Sequence, residues 1–391
     1  MEKMKQLKQY PLLIAFGAFI LVLFVADMLC FGREYSEMEN RFLKQRPKFS
    51  VKSLISNEYT MKYEEFINDQ FVGRDQWITI KSVSESVLGK IENNNVAYGK
   101  DDYMFEKAPT VDEKTLWNNV GFVQKFLESY PGHVTFGIIP NSYQVLNHKT
   151  PVSFPGADQG AYIGEIYSRI GTSAQTVDLL NAISAHKNEY IYYKTDHHWT
   201  TLGAWYGYQA YAQSLGLQYA TLEELASYLH QVPDFLGTYF SKGKKFDAQK
   251  DTITWYDIPV GEVTIDGKTT VMDTDKNQIP VTGLYDHSKW AVRDKYAAFL
   301  YSNNGLTFIP SNNNKNHVDG KVSRVLLIKD SYGNSMAPFL TYSYDEVYVV
   351  DLRSLPEKMS ELLARVQFDD VLILYNFQSF EMDKNIARLT Y

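Results

Sequence analysis

The sequence predicts an α/β protein with a doubly wound parallel sheet. Short apolar runs alternate with runs of helical periodicity, and this alternation is typical of parallel strands covered by helices on both faces. Between residues 219 and 321 the pattern changes, and an Asp266-Gly267 pair inside the alternating run 262–271 favours a hairpin. We therefore expect a β-containing insertion in the sheet domain, at about 219–321.

The individual elements follow from short apolar runs and from apolar positions that recur every three or four residues. The strand candidates are 134–139, 191–193, 325–328, 347–350 and 371–374, and the clearest helix candidates are 115–130, 201–215 and 359–366. A hairpin is expected over 96–105, with its turn at the Gly-Lys-Asp-Asp run.

The N-terminal segment predicts a membrane anchor. Lys3, Lys5 and Lys8 precede a stretch, 10–31, that is apolar apart from Asp27. About 20 apolar residues span a bilayer, and a basic flank favours an inside N-terminus. A cleaved signal peptide is the alternative, but 28–30 lacks the small residues that favour cleavage. We therefore expect a single-pass protein of the cell membrane whose remaining chain is extracellular.

Three segments follow from these patterns. Residues 1–31 are expected to form a cytoplasmic stub and the anchor, 32–95 a juxtamembrane stalk with two helices, and 96–391 the α/β domain with its insertion. The polar run 33–50 is the stalk, and the helices over 54–90 are interrupted near 72–74.

Composition narrows the class of protein. With 391 residues, 45% of them hydrophobic and 22% charged, the chain can bury a full core. A net charge of −7 argues against a nucleic-acid partner, which usually needs a basic face. The single cysteine, Cys30, excludes an intrachain disulfide. The 29 tyrosines fit a sugar-binding surface, although half-exposed strands collect tyrosine as well.

The run Asp196-His197-His198-Trp199 is the strongest candidate for chemistry. If the preceding run 190–193 is a strand that stays extended through the motif, the period of two places Asp196 and His198 on one face. A carboxylate beside an imidazole fixes its tautomer and stabilises the imidazolium. We therefore interpret His198 as a general base and Asp196 as the residue that orients it.

Two other interpretations of this run stay open. The residues can be satisfied polar groups of a helix-capping turn, since Thr200 or Thr201 can cap the next helix. Asp196, His197 and His198 are also ligand types for a metal, but no further histidine or cysteine stands at a recognisable ligand spacing. We therefore expect neither a metal nor a cofactor.

A second candidate follows the predicted strand 325–328. Ser331 lies where this strand turns into a helix, and the N–H groups of such a turn can stabilise an oxyanion. Ser331 is therefore a plausible nucleophile, with Ser335 as its rival, although Asp-Ser before a helix is also an ordinary cap. The amide of Asn303 can supply another donor, although Asn-Asn-Gly is more often a turn.

Several segments together resemble a known family, the DHHW proteins, which are relatives of periplasmic alginate O-acetyltransferases with an SGNH-hydrolase-like domain. The matching segments are Asp196-His197-His198-Trp199, Glu39-Asn40-Arg41, Tyr98-Gly99-Lys100-Asp101, Val177-Asp178-Leu179, Asp294-Lys295-Tyr296 and Asp330-Ser331-Tyr332-Gly333.

The resemblance implies a Ser331–His198–Asp196 triad in a circularly permuted order. It also implies an oxyanion and substrate-binding set of Asn303, Gly333, His197 and Trp199. The chain departs from the family pattern at Ser302, which stands where the pattern has glycine before the asparagine, while the amide of Asn303 is retained.

The function that the resemblance implies is O-acetylation of a cell-surface or secreted polysaccharide through an acetyl-serine. The acetyl group is expected to come from a membrane-bound O-acyltransferase, because acetyl-CoA is absent outside the cell. An acetyl esterase with the same triad and a noncatalytic glycan-binding component of an exopolysaccharide assembly are the alternatives.

Overall fold

The computed structural model describes residues 10–29, 32–273 and 276–391, so the three predicted flanking lysines and Cys30 lie outside the described residues. Contacts divide the chain into two compact units. The first comprises the described part of Met1–Lys90 together with Lys244–Asp247, and the second comprises Ile91–Gly243 and the described part of Ala248–Tyr391. The boundaries expected from the sequence, at 31/32 and 95/96, remain predictions.

The first unit is mainly helical. Its elements are α1 (Pro11–Leu29), β1 (Tyr35–Ser36), β2 (Arg41–Phe42), α2 (Val51–Ile55), α3 (Glu58–Gln70) and α4 (Arg74–Val87). Helix α1 is long and apolar enough to cross a membrane, a property that signal sequences share. The predicted interruption near 72–74 is confirmed, since α3 ends and α4 begins around Gly73. Residues 33–50 are not only a stalk, because Arg41 of their hairpin donates to Asp69 of α3 at 2.6 and 2.8 Å.

The second unit contains the remaining strands and helices. The strands are β3 (Glu92–Asn93), β4 (Val96–Tyr98), β5 (Met104–Glu106), β6 (His133–Ile139), β7 (Gln175–Val177), β8 (Leu229–Phe235), β9 (Asp251–Tyr256), β10 (Thr264–Ile265), β11 (Thr270–Met272), β12 (Gln278–Pro280), β13 (Leu306–Pro310), β14 (Arg324–Lys329), β15 (Glu346–Val350) and β16 (Asp370–Asn376). The α-helices are α5 (Glu113–Ser129), α6 (Ser142–Val145), α7 (Gln159–Ile170), α8 (Leu179–Ser184), α9 (Thr201–Ser214), α10 (Leu222–Leu225), α11 (Thr238–Gly243), α12 (Gly333–Leu340), α13 (Met359–Arg365) and α14 (Phe377–Met382). Short 3₁₀ helices lie at Lys100–Asp102, Asn147–Lys149, Ala226–Tyr228, His287–Ala291, Lys295–Ala298 and Lys384–Thr390.

The central sheet is mixed, with the strand order β10-β13-β15-β14-β16-β6-β7. Strands β15, β14, β16, β6 and β7 are parallel, whereas β13 is antiparallel to β15 and β10 is antiparallel to β13. The predicted parallel sheet is therefore correct for five strands only. The two antiparallel strands come from the stretch predicted to be inserted, which contains β8 to β13.

Helices cover both faces of the sheet. On β14, Val325 and Leu327 belong to one apolar cluster, which includes side chains of α9 and α12. Leu326 and Ile328 belong to another, which includes side chains of α5, α7 and α13. Successive side chains of a strand point to opposite faces, so this division shows that β14 is buried on both sides.

The prediction of a strand at 191–193 is wrong, because these residues lie in a loop. Tyr192 forms an isolated β-bridge with Trp199, and Thr200 N–H donates to Ile191 O at 2.9 Å, so the chain turns back on itself. The large side chains of Ile191, Tyr192 and Tyr193 are buried nonetheless. The apolar and aromatic composition of this run reflects its burial, which a packed loop satisfies as well as a strand does.

Both predicted hairpin turns are present, but one of the hairpins has different partners. Strands β4 and β5 pair as expected, around the 3₁₀ helix Lys100–Asp102. The turn at Asp266-Gly267 has positive φ at both residues. The strand before this turn, β10, pairs with β13, and the strand after it, β11, pairs with β12.

We expect Leu327→Ala to lower the free energy of unfolding by about 2 to 5 kcal/mol, because it opens a cavity beside a fully buried position of β14. The matched change Leu229→Ala removes the same atoms from a side chain that is 44% exposed, and we expect it to cost about 0.5 kcal/mol or less. Urea unfolding of the detergent-solubilised chain, followed by circular dichroism, measures both losses. Equal losses in the two variants would contradict the buried position of Leu327.

A second prediction concerns Glu381, which accepts a hydrogen bond from Asp112 N–H at 3.2 Å. Burial raises the pKa of this carboxyl from 4.5 to about 7. Between these values the folded state keeps a proton that the unfolded state has released, so stability falls as the pH rises through this window. We expect Glu381→Gln to reduce this fall, which thermal unfolding of both chains below pH 4.5 and above pH 7 would reveal. An unchanged pH dependence of stability in the variant would contradict the raised pKa of Glu381.

Candidate active site

The turn that carries Ser331 is anchored by a buried carboxylate. Strand β14 ends at Lys329, and Asp330 then accepts hydrogen bonds from Tyr332 N–H at 3.0 Å and from Asn376 N–H at 2.9 Å. Asn376 is the last residue of the neighbouring strand β16. The carboxyl ends of two parallel strands are therefore joined directly beneath Ser331, and α12 begins two residues later, as the sequence predicted.

The loop that carries the 196–199 run is held by Asp251 of β9. The carboxylate of Asp251 accepts from the N–H groups of Lys194 and Thr195, both at 2.8 Å, and from the Thr195 hydroxyl at 2.5 Å. A loop whose backbone N–H groups have an acceptor can be buried without a ladder partner. The side chain of β9 thus replaces the strand pairing that the sequence had suggested for this segment.

Asp196, His198 and Ser331 form a continuous hydrogen-bonded chain. Asp196 Oδ1 lies 2.6 Å from His198 Nδ1, and His198 Nε2 lies 2.7 Å from Ser331 Oγ. With Nδ1 donating to the carboxylate, the neutral ring presents Nε2 as an acceptor for the serine hydroxyl. This is the geometry in which a serine can lose its proton to a histidine.

The pairing of Asp196 with His198 arises from a turn and not from the extended backbone that we expected. Asp196 Oδ1 also accepts the backbone N–H of His198 at 3.0 Å, so the aspartate folds over its own loop. Asp196 Oδ2 accepts from Thr238 N–H at 2.7 Å. A local Asx turn and a distant backbone group therefore fix both oxygens.

The environment keeps Asp196 ionised. Burial alone would raise the pKa of this carboxyl, but the neighbouring imidazoles of His197 and His198 and the hydrogen bonds outweigh it and hold the pKa well below its usual range. Burial and the adjacent His198 lower the pKa of His197 to about 4, even though 31% of its side chain is exposed. A charged carboxylate is thus available to stabilise an imidazolium at His198.

Tyr296 is a site residue that we did not single out from the sequence. Its ring stacks on His198, with centroids 3.8 Å apart and planes inclined by 10°. Its hydroxyl donates to Ser331 O at 3.1 Å and lies 3.2 Å from Ser335 Oγ. Tyr296 therefore contacts both the base and the nucleophile turn. Tyr296 belongs to Asp294-Lys295-Tyr296, one of the six segments that carried the family resemblance, and this was the sequence signal that could have identified it.

Gly237 is a second such residue, and no sequence signal pointed to it. A Cβ atom at this position would lie 2.1 Å from Asp196 Cβ and 2.2 Å from Asp196 Oδ2. Because no real Cβ contact is that short, only glycine fits against the aspartate here. The N–H that holds Asp196 Oδ2 belongs to the next residue, Thr238.

Trp199 and Gly333, two of the residues predicted to bind the oxyanion or the substrate, form hydrogen bonds within the protein. Trp199 is fully buried, and its Nε1–H donates to Tyr332 O at 3.0 Å and to Ser335 Oγ at 2.9 Å, so it packs the loop that carries the 196–199 run against the turn that carries Ser331. The N–H of Gly333 donates to Asp330 O at 3.1 Å and is therefore not free for an oxyanion.

Ser331 N–H, by contrast, has no acceptor among the residues that the structure describes. Asn303 is exposed and contacts Asn334 of α12, whose side-chain Nδ2 donates to Asn303 Oδ1 at 3.1 Å. The backbone N–H of Asn334 donates in turn to Ser331 O at 3.3 Å. The predicted oxyanion asparagine therefore lies next to the turn that carries the predicted nucleophile.

His197 lies beside the triad at its more exposed side. Its Nδ1 is 2.6 Å from Thr238 Oγ1, and its carbonyl oxygen accepts from the Tyr332 hydroxyl. The predicted contact between His197 and substrate remains a prediction.

The alternative of a metal site has the right residue types within reach. One ligand atom each of Asp196, His197 and His198 lie within 4.8 Å of one another. Both carboxylate oxygens of Asp196, Nδ1 of His197 and both ring nitrogens of His198 already hydrogen-bond to Thr238, to Ser331 or to each other. A metal bound here would have to break the contact between His198 and Ser331 or the contacts of Thr238, so the arrangement is better suited to proton transfer.

Comparison with known proteins gives one family and several structural relatives. The family model described as DHHW protein matches residues 97–350. A crystal structure of a DHHW family protein from Eubacterium siraeum aligns over 76% of this chain and 96% of its own, with a TM-score of 0.63 and 21% identity. Bacillus cereus PatB1, solved with a sulfonyl adduct, aligns over 76% of this chain and 98% of its own, with a TM-score of 0.57 and 18% identity.

A further match is the O-acetyltransferase domain of Pseudomonas putida AlgJ, which aligns over 76% of this chain and 98% of its own, with a TM-score of 0.47 and 14% identity. No curated protein matches the chain in sequence. At these identities the first two structural matches show a shared mixed α/β fold.

The role of Gly237 leads to a test of the site. We expect Gly237→Ala to slow the sulfonylation of Ser331 by phenylmethanesulfonyl fluoride by roughly 10² fold, because the new methyl group displaces Asp196 and misaligns His198. Gly164→Ala is the matched control, since its Cβ meets nothing within 4 Å. Peptide mass spectrometry over time gives both rates.

Equal rates in the two glycine variants would contradict a role of Asp196 in activating Ser331. Loss of labelling on addition of EDTA would indicate that a metal is required, and we expect no such loss.

Proposed function

This chain belongs to the DHHW protein family, and from that premise we propose that it is a membrane-anchored extracellular O-acetyltransferase that acylates hydroxyls of a cell-surface or secreted polysaccharide. The observation that carries the proposal is the Asp196–His198–Ser331 chain, with contacts of 2.6 and 2.7 Å. It lies at the carboxyl end of β14, where open α/β sheets place their ligands.

The first half of the proposed reaction acetylates the serine. Ser331 Oγ attacks the acetyl carbonyl of the donor while its proton moves to His198 Nε2, and the carbonyl becomes an oxyanion. Asp196 stabilises the imidazolium through Nδ1. The oxyanion collapses, the leaving group departs with the proton from His198, and an acetyl ester remains on Ser331.

The second half transfers the acetyl group to sugar. A polysaccharide hydroxyl replaces the leaving group, gives its proton to His198 Nε2, and attacks the ester carbonyl of acetyl-Ser331. The new oxyanion collapses with Ser331 Oγ as the leaving group, and Oγ recovers the proton from His198. The products are the acetylated sugar and the free triad. Dividing the transfer into two steps lowers the barrier of each.

The donor and the membrane location belong to the same proposal. Helix α1 can serve as the anchor, and an extracellular site has no access to acetyl-CoA. A membrane-bound O-acyltransferase would then supply the acetyl group. PatB1 was solved with a sulfonyl adduct, which is chemistry that an activated nucleophile provides, and this relative supports the assignment of a nucleophilic site.

Acetyl transfer from an activated acetyl ester to glycan oligomers tests the function. We expect an acetyl group on the Ser331 peptide that moves to the oligomer, and we expect its formation to fall by about 10³ fold or more in Ser331→Ala and in His198→Ala. Ser335→Ala is the matched control, because Trp199 keeps its bond to Tyr332 O and Tyr296 keeps its bond to Ser331 O when the Ser335 hydroxyl is lost. Mass spectrometry of peptides and oligomers gives both measurements.

Three outcomes separate the alternatives. Transfer to the oligomer supports the transferase. Release of acetate at a rate that glycan does not change, across a panel of differently linked oligomers, would identify an esterase. The absence of any adduct that depends on Ser331 would favour a noncatalytic glycan-binding role.

A further inference from the structure

Lys329 is a buried ionisable group without a role in the proposed reaction. It is the last residue of β14, only 2% of its side chain is exposed, and its Nζ lies 3.2 Å both from Asn303 Oδ1 and from Asp351 Oδ2. Arg353 holds the same carboxylate at 2.6 and 2.8 Å. Burying an ammonium group is costly even when it is paired. A lysine at this position, two residues before the predicted nucleophile, therefore calls for a specific reason.

The ammonium group determines how the amide of Asn303 is turned. An ammonium can only donate hydrogen bonds, so the Asn303 atom that faces it must be the carbonyl oxygen Oδ1. The same oxygen accepts from Asn334 Nδ2 at 3.1 Å. Asn303 Nδ2 is consequently directed away from both groups, and it has no partner among the residues that the structure describes.

The loop before Asn303 is strained. Leu300, Tyr301 and Ser302 have φ of 50°, 57° and 75°, in the left-handed region that is unfavourable for residues other than glycine. The side chain of Asn304 braces this loop by donating to Leu300 O at 2.7 Å. Strain of this kind persists where the surrounding contacts over-determine a conformation, and here the braced loop presents Asn303 to Lys329 and Asn334.

Gly333 leaves room for the stem of Lys329. A Cβ atom at position 333 would lie 2.6 Å from Lys329 Cβ and 2.9 Å from Lys329 Cγ. The first residue of α12 therefore has to be a glycine for the lysine to pass beneath it. Position 333 therefore needs a residue without a side chain, whatever the role of its N–H.

We propose that Lys329 is a positioning residue: by holding Asn303 Oδ1 it turns the amide Nδ2 of Asn303 toward the acyl oxygen, where Asn303 and the backbone N–H of Ser331 form the oxyanion hole. This inference rests on the proposed function. It requires only that Ser331 is acylated, so it applies whether sugar or water accepts the acetyl group. Removal of one such donor typically costs 10² to 10³ fold in rate.

The test is a double-mutant cycle on the full chain in detergent, with p-nitrophenyl acetate as the probe. Lys329→Met keeps an unbranched stem but cannot donate, and Arg353 still pairs with the Asp351 carboxylate. We expect Lys329→Met to lower the rate constant of Ser331 acetylation at saturating ester by roughly 10 to 10² fold, with little change in the ester concentration that gives half of this rate, because the lost hydrogen bond forms in the transition state. The initial burst of nitrophenolate gives the rate.

The background variant Asn303→Ala distinguishes positioning from a general structural effect. If Lys329 acts through Asn303, Lys329→Met causes no further loss in the Asn303→Ala chain. The same fold-loss in both backgrounds, or a wild-type rate in Lys329→Met, overturns the proposal. Lys329→Gln provides a second variant, which keeps a neutral hydrogen-bond donor. We expect it to acetylate Ser331 faster than Lys329→Met does, even if thermal unfolding shows that both variants are destabilised equally.

The failure of the proposed function is a separate result. A chain that gives the nitrophenolate burst but no glycan acetylation would disprove the transferase and leave the Lys329 cycle measurable.

Discussion

The carboxylate of Asp196 is the interaction on which the rest of the site depends. Its two oxygens receive the backbone and ring N–H groups of His198 and the backbone N–H of Thr238, and the surrounding protein leaves only 2% of the residue exposed. A buried charge of this kind is stable only when it is hydrogen-bonded and paired. The surrounding loops therefore supply hydrogen bonds to both carboxylate oxygens, and the bond to the His198 ring orients this ring toward Ser331.

Much of the site was accessible from the sequence because it lies where local patterns are informative. Ser331 follows an apolar strand and precedes a helix, and Asp196 and His198 are two residues apart, so chemistry and spacing were enough to propose the pair. The argument for the pair was nevertheless incorrect in one respect, since an Asx turn and not an extended backbone brings the two side chains together.

The remaining features depend on contacts between distant segments, which periodicity does not report. The Tyr296 stack, the fit of Gly237 against Asp196 and the Asp251 bonds to the motif loop each join residues that are at least 40 positions apart. Strand β13 was missed, and β10 was expected to pair within its own hairpin, for a related reason. The antiparallel pairing of β10 with β13 and of β13 with β15 is decided by tertiary packing and not by the composition of the short strands themselves. The run 190–193 shows the converse error, in which burial was interpreted as strand structure.

The position of β14 within the sheet has a consequence for the order of folding. The two strands that flank it, β15 and β16, both follow it in the chain, and β16 in turn pairs with β6 from far upstream. Contacts of such long sequence separation form late and slow the folding of a domain. A chain that is synthesised from its N-terminus can thus form the loop that carries His198 once Asp251 has emerged, but it cannot align Ser331 until residues up to 376 have emerged. The order of the strands thereby delays the reactive state until the domain is complete.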